Sequence, residues 1–200
     1  MKVTKKIVDH VLKNFEKNNF EAILVKDGKK AFEKVFERVK QGNDIAVGGS
    51  TTLRQLGIHE ALTAGKFKFH NPYKKGLSVE QEMQERRAAL NADYYLTSVN
   101  AITLKGELVL GDAIGNRVGS TIYGPKKVII VVSKNKIVKG IKEAFERIEK
   151  VVIPKNLERL AKLFPGRYTK ENLWSNTGII HKAEFKGRFT IILVDEELGY

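Results

Sequence analysis

The stretch Lys127-Val128-Ile129-Ile130-Val131-Val132 decides the fold class of this 200-residue chain. Its Val and Ile residues follow a break at Gly124-Pro125, and β-branched residues of this kind favour a strand. A strand without polar alternation is covered on both faces, as in parallel sheets that are flanked by helices. Residues 137–151 then place apolar side chains at helical spacing. This succession of a buried strand and an amphipathic helix indicates an α/β fold.

The same alternation extends in both directions along the chain. Further strands are predicted at residues 21–25, 44–47, 94–97 and 189–194, and further helices at 4–18, 30–41 and 79–91. Ser78 is the expected N-cap of the last of these helices. A hairpin is predicted at 100–112, and residues 154–186 are expected to be irregular apart from a short helix near 157–163. We therefore predict a single domain, residues 1–200, with a mostly parallel sheet flanked by helices.

Composition excludes several kinds of chemistry. Cysteine is absent, which excludes disulfides, thiolate metal sites, protein-ligated iron–sulfur clusters and a cysteine nucleophile. The four histidines lie far apart, so we predict neither a metal nor a cofactor. The longest apolar run is far shorter than the roughly 20 residues that span a bilayer, and no signal-peptide core is present, so we expect a cytoplasmic protein without membrane contact. The excess of Lys and Glu is typical of heat-adapted proteins, although a low-GC genome also enriches Lys.

The net charge is strongly positive. Lys and Arg number 36 against 23 acidic residues, which gives +13 and suggests anionic partners. The lysines are spread along the chain, and no basic arm or interleaved aromatic residues of the kind that stack bases are present. A solvated basic surface is therefore favoured over nucleic-acid binding, which stays open as a third function.

The first candidate site is the loop after the strand at 44–47. It consists of Gly48, Gly49, Ser50, Thr51 and Thr52, and a helix follows. Glycines let backbone N–H groups face a ligand, and a helix N-terminus and hydroxyl groups add favourable interactions with an anion. The loop is not a Walker A motif, because no Lys follows at the required spacing. The alternative interpretation is a tight strand-to-helix turn with a hydroxyl cap.

The second candidate site gathers polar residues next to predicted strand ends. Its members are Asn100, Asp112, Asn116 and Arg117. Ligands of open α/β sheets bind outside the carboxyl ends of strands, and an arginine there can grip a carboxylate or phosphate bidentately. In the alternative interpretation, Asp112 and Arg117 pair with each other and Asn100 caps a turn.

Several of these segments, in this order, resemble the LUD (lactate-utilization) domain family. The segments are VGGSTTLRQLG (47–57), NPY (71–73), ERRAALNAD (85–93), LTSVNAITLKG (96–106), ELVLGDAIGNRV (107–118), YGPKKVIIVVSKNKIV (123–138) and VDEELGY (194–200). The resemblance implies a fold like that of ribose-5-phosphate isomerase, glucosamine-6-phosphate deaminase and CoA transferases. It also implies that the 48–52 loop holds the phosphate of a ligand. Glu107 is a catalytic candidate only because CoA transferases use a glutamate; the alternative is an exposed strand residue.

The resemblance carries one departure with consequences for function. Many family members have cysteines before the final strand, whereas residues 173–180 here have none. A link to lactate oxidation would therefore need an iron–sulfur partner protein. The predicted function is the binding of a small phosphorylated or carboxylated metabolite, with isomerase- or transferase-like activity left open. The second function is that of a non-catalytic accessory subunit of an oxidoreductase complex, and an oligomer is compatible with either.

Overall fold

The computed structural model describes residues 1–163 and 165–200. The strands are β1 (Glu21–Val25), β2 (Asp44–Val47), β3 (Lys68–His70), β4 (Tyr94–Thr97), β5 (Ala101–Thr103), β6 (Leu108–Asp112), β7 (Lys127–Ser133), β8 (Ile137–Val138), β9 (Asn176–Ile180) and β10 (Phe189–Val194). The α-helices are α1 (Lys5–Lys17), α2 (Gly28–Phe36), α3 (Thr51–Gln55), α4 (Ile58–Ala64), α5 (Val79–Ala88), α6 (Asn116–Ile122), α7 (Ile141–Arg147) and α8 (Ile153–Leu163).

Six strands form one sheet in the order β1-β10-β7-β4-β2-β3, and all neighbours in it are parallel. The predicted α/β class with a mostly parallel sheet is confirmed. Strand β7 is buried on both faces, as its sequence predicts: Val128 and Ile130 contact the core under α1, whereas Ile129 and Val131 contact the core under α2 to α4. Burial on both faces explains why β7 lacks the polar alternation of a one-sided strand.

The strand order reverses between β2 and β4, and this reversal positions the candidate site. The chain leaves β2 through α3 and α4 to reach β3 on one side, whereas it leaves β4 through β5, β6 and α6 to reach β7 on the other side. Connections that leave in opposite directions open a crevice at the carboxyl ends of the two neighbouring strands. The 48–52 loop follows β2 and residues 98–100 follow β4, so both lie at this crevice.

A second sheet of four strands, in the order β8-β5-β6-β9, packs against α7 and α8. The predicted hairpin at 100–112 is formed by β5 and β6, which are antiparallel. Strand β9 was not predicted, because Asn176 and Gly178 disfavour strands. Its register with β6, in which Asp112 lies opposite Asn176, supplies the pairing that makes it a strand.

The helix predicted at 137–151 is wrong at both ends. Residues 137–138 form β8, which pairs with β5, and the helix begins only at Ile141. It then continues through a wide π-helical turn at 148–152 into α8, although the predicted helix ended at residue 151 and the chain from Pro154 was expected to be irregular before a short helix near 157–163. Proline lacks an N–H and crowds the preceding turn, and a π-turn just before it relieves both constraints. Among the described residues, no helix has the length and apolarity needed to cross a membrane.

Candidate functional site

The 48–52 loop presents unused backbone N–H groups at the crevice. Gly48 N donates to Leu96 O at 2.9 Å and so continues the sheet. The Ser50 hydroxyl caps α3 by accepting from Leu53 N at 3.2 Å. Within residues 1–163 and 165–200, no protein acceptor is found for the N–H groups of the next four loop positions, Gly49, Ser50, Thr51 and Thr52. These donors lie where the N-terminus of a helix favours an anion.

Both loop glycines are required by close approaches. A Cβ on Gly48 would lie 2.7 Å from Thr97 Oγ1 and 2.7 Å from the Tyr95 hydroxyl. A Cβ on Gly49 would lie 2.8 Å from the Tyr73 hydroxyl. Three hydroxyl groups from other elements therefore reach the loop backbone, which only glycine allows at these distances.

Lys136 lies on the floor of the crevice, in the short 3-10 turn that follows β7. It is 3% exposed, and its Nζ is 3.3 Å from Thr52 Oγ1, 3.1 Å from Ser98 Oγ and 3.2 Å from Val99 O. Lys136 thus links the 48–52 loop to the end of β4. When its ammonium donates to the two hydroxyl oxygens, their own hydrogens are left to donate elsewhere.

Two arginines surround the same backbone. Arg117 in α6 donates through Nη2 to Asn100 Oδ1 at 2.8 Å and to Gly111 O at 2.5 Å, and through Nη1 to Ser98 O at 3.3 Å. Arg147 in α7 donates to Asn100 O at 2.7 Å. Both Nη2 hydrogens of Arg117 are donated to protein oxygens, so Nη2 cannot take part in the bidentate ligand contact predicted for this residue. Arg117 therefore contributes its charge and positions the surrounding backbone.

In the part of the chain that the structure describes, no carboxylate forms an ion pair with Lys136, Arg117 or Arg147. Burial, followed by the charges of Arg147 and Arg117, lowers the pKa of Lys136 to about 7. Burial lowers the pKa of Arg147 to about 10. Buried charges are normally paired, so this site has an unbalanced positive potential.

The segment 195–200 lies over this floor. Its backbone is held by Leu198 N donating to Ser133 Oγ at 3.1 Å and by Gly199 N donating to Gln55 Oε1 at 2.7 Å. A Cβ on Gly199 would lie 2.4 Å from Thr52 Oγ1 and 3.3 Å from Lys136 Nζ. A ligand atom beside Lys136 would therefore lie against, or displace, this segment.

The other predicted site residues take different places. Asn100 and Arg117 join the crevice, as described above. Asp112 caps α6, with its carboxylate accepting from Gly115 N and from Val118 N, and it does not pair with Arg117. Asn116 is the first residue of α6.

Glu107 is not brought to the crevice. It precedes β6, whose five residues separate it from the far end of that strand by roughly 17 Å. Its carboxylate accepts from Thr103 Oγ1 at 2.8 Å and contacts His181 Nδ1 at 2.8 Å. Burial alone would raise the pKa of Glu107, but these two hydrogen bonds, together with the charges of His181 and Lys105, outweigh burial and lower it.

A rim of aromatic and basic side chains borders the loop. Arg54 stacks over the Tyr73 ring at 4.9 Å, and a cavity of about 450 Å³ lined by Arg54, His59 and Asn71 opens beside it. Burial, then the charge of Arg54, lowers the pKa of His59 to about 4, so this imidazole is neutral at neutral pH. A larger cavity of about 610 Å³ lies at α1 and β1 and includes no residue of this site.

The sequence did not single out Lys136, Arg147, Tyr73 or Gly199. Lys136 belongs to a basic cluster around β7, and its position directly after a buried strand is the one local signal that it faces the carboxyl edge of the sheet. Tyr73 and Gly199 lie in segments that carry the family resemblance, but neither was assigned to the site; like Arg147, they reach it through tertiary packing.

Comparison with known proteins gives a family and related folds. The LUD domain model matches residues 8–194. A DUF162 family protein from Deinococcus radiodurans has a similar structure, with a TM-score of 0.60, 13% identity and coverage of 98% of this chain and 100% of that chain. Ribose 5-phosphate isomerase A from Methanocaldococcus jannaschii (TM-score 0.36, 17% identity, 74% and 68% coverage) and the Plasmodium falciparum enzyme (0.37, 15%, 80% and 79%) are more distant. No curated protein matches in sequence.

Proposed function

The chain belongs to the LUD domain family, and we propose that it binds a small phosphorylated or carboxylated metabolite at the 48–52 loop. The anionic group accepts hydrogen bonds from the loop N–H groups and from the Thr52 hydroxyl. Lys136, Arg117 and Arg147 supply the opposite charge. Asn100 keeps Arg117 and the end of β6 in place, because its Oδ1 accepts from both Arg117 Nη2 and Gly111 N.

One observation carries this proposal: three cations converge on one crevice, and within residues 1–163 and 165–200 no carboxylate forms an ion pair with any of them. Lys136 is 3% exposed, and burying an unpaired ammonium costs several kcal/mol. A protein usually retains such an arrangement where a ligand supplies the missing charge. The adjacent N–H groups of the 48–52 loop are the donors that an oxyanion needs, which favours an anion over a neutral ligand.

The test is the rise in melting temperature of the full chain with inorganic phosphate, followed by calorimetric affinity. Gly49→Val places a branched side chain at the loop and against the Tyr73 hydroxyl. Loss of two charge-assisted hydrogen bonds, each worth about 1.5–3 kcal/mol, weakens binding by about 100-fold or more. Arg117→Lys keeps the charge but loses the fork that holds Asn100 and Gly111, so we expect a smaller loss of about tenfold.

The matched control is Arg38→Lys, the same substitution at an arginine that lies outside the crevice and bonds to Lys34 O. It should leave the response to phosphate unchanged. Each variant's melting temperature without phosphate reports whether it is folded. A folded Gly49→Val variant that binds phosphate as well as the parent does would refute the proposal, as would a parent that phosphate does not stabilise at any concentration.

A further inference from the structure

Lys136 offers a chemistry that anion binding alone does not require. Two of its three neighbours, Thr52 Oγ1 and Ser98 Oγ, are hydroxyl groups, and the third is Val99 O. A hydroxyl accepts a hydrogen bond from an ammonium and equally donates one to the lone pair of a neutral amine. The surroundings of Nζ therefore accommodate the lysine in either protonation state.

The charges around Nζ favour the neutral amine. Arg117 approaches from α6 and Arg147 from α7, and no described carboxylate is ion-paired with Lys136 from α3, β4 or the 195–200 segment packed around it. Burial and these two guanidinium groups lower the pKa of Lys136 to about 7. Desolvated lysines next to other cations act as nucleophiles, because a substantial fraction is unprotonated at neutral pH.

We propose that Lys136 forms an imine with the bound ligand, which is therefore an aldehyde or ketone that carries a phosphate or carboxylate group. This inference rests on the proposed binding of that anionic group at the 48–52 loop. The loop and the amine meet at Thr52, whose Oγ1 contacts Nζ, so one small molecule that displaces the 195–200 segment from Nζ reaches both. The protonated imine would be repelled by Arg117 and Arg147, and the anionic group of the ligand offsets that repulsion.

The step is balanced without a further reactant. The Nζ lone pair attacks the carbonyl carbon to form a C–N bond, and the carbonyl π electrons move to oxygen. Nζ then gives up both of its protons, the oxygen takes them, the C–O bond breaks and water leaves. No oxidant or reductant is consumed. The Ser98 and Thr52 hydroxyls contact Nζ and are placed to carry these protons.

The experiment traps the imine on the wild-type chain. Two probes that differ only in the anionic group, glycolaldehyde phosphate and glycolaldehyde, are each incubated with the protein and cyanoborohydride at neutral pH. Peptide mass mapping then gives the labelling rate of each lysine. With a pKa of about 7, about half of Lys136 is unprotonated, against about one in 2,500 for an ordinary lysine. We expect Lys136 to be labelled at least about 100-fold faster than exposed lysines, and at least about tenfold faster by the phosphorylated probe.

Lys134 is the matched comparison, since it lies in the same turn and pairs with Asp195 at 2.7 Å. Lys136→Met should abolish the fast label, and the wild-type peptide map still decides the question if that variant does not fold. Labelling of Lys136 no faster than that of Lys134 overturns the imine. If phosphate stabilises the parent but Lys136 stays unlabelled, only the imine fails. If phosphate neither stabilises the parent nor slows labelling, the anion-binding proposal fails.

Discussion

Replacing Lys136 with Met should make the protein more stable at neutral pH and should flatten the dependence of stability on pH. Lys136 is 3% exposed, and burial together with Arg147 and Arg117 lowers its pKa from the 10.5 of an ordinary lysine to about 7. Because the folded pKa lies below the unfolded one, the unfolded chain binds more protons between about pH 7 and pH 10.5. The free energy of unfolding contributed by this group therefore rises with pH across that window.

The magnitude follows from the same shift. A pKa difference of about 3.5 units corresponds to roughly 4 kcal/mol of destabilisation at pH 7, and to roughly 1 kcal/mol at pH 10. Lys136→Met removes this cost but leaves the Ser98 and Thr52 hydroxyls and Val99 O without their partner, which costs about 1–3 kcal/mol. The variant should therefore exceed the parent by roughly 1–3 kcal/mol at pH 7 and fall below it by pH 10.

Urea unfolding of parent and variant at several pH values between about 7 and 10 measures this difference, and subtraction removes the contribution of other titrating groups. Saturating phosphate should stabilise the parent more than the variant, because bound anion supplies the missing charge. A difference between the two proteins that stays constant over this pH range would refute the reasoning, since it would mean that the buried amine keeps an ordinary pKa.

Two further predictions concern the segment over the site and the glutamate away from it. Gly199→Ala should lower the free energy of unfolding by about 2–3 kcal/mol, because a Cβ there lies 2.4 Å from Thr52 Oγ1 and the residue has a φ of +63°. The control is Gly42→Ala, where φ is +82° and nothing lies within 4 Å of the added Cβ; it should lower the free energy of unfolding by only about 1 kcal/mol. Equal losses for the two variants in chemical denaturation would show that the contact with Thr52 is unimportant. Glu107→Gln should weaken the contact with His181 yet leave the thermal response to phosphate unchanged; a lost response would place Glu107 in the site.

The sequence by itself determined the class of fold and the identity of its central strand. Residues 128–132 are five Val and Ile residues in succession, so a strand there has no polar face and must be covered on both sides. The neighbouring segments have helical periodicity, and the helices that they form cover the strand. The loop after β2, with its two glycines followed by hydroxyl residues, could also be recognised from the sequence, because turns and helix caps depend on adjacent residues.

Only the tertiary structure decided which side chains meet at the crevice. Strand β9 forms because it pairs with β6. The helix continues past Pro154 because a π-turn just before it accommodates a residue without a backbone N–H. Neither feature follows from local propensity. Lys136 looks like any surface lysine in the sequence. Its burial arises because β7 lies next to β4 and places the following turn under Thr52 and Ser98, and because Gly199 returns over it from the far end of the chain. Whether a buried charge has an ion-pair partner depends on residues that are distant in the sequence, so no short segment of the sequence predicts it.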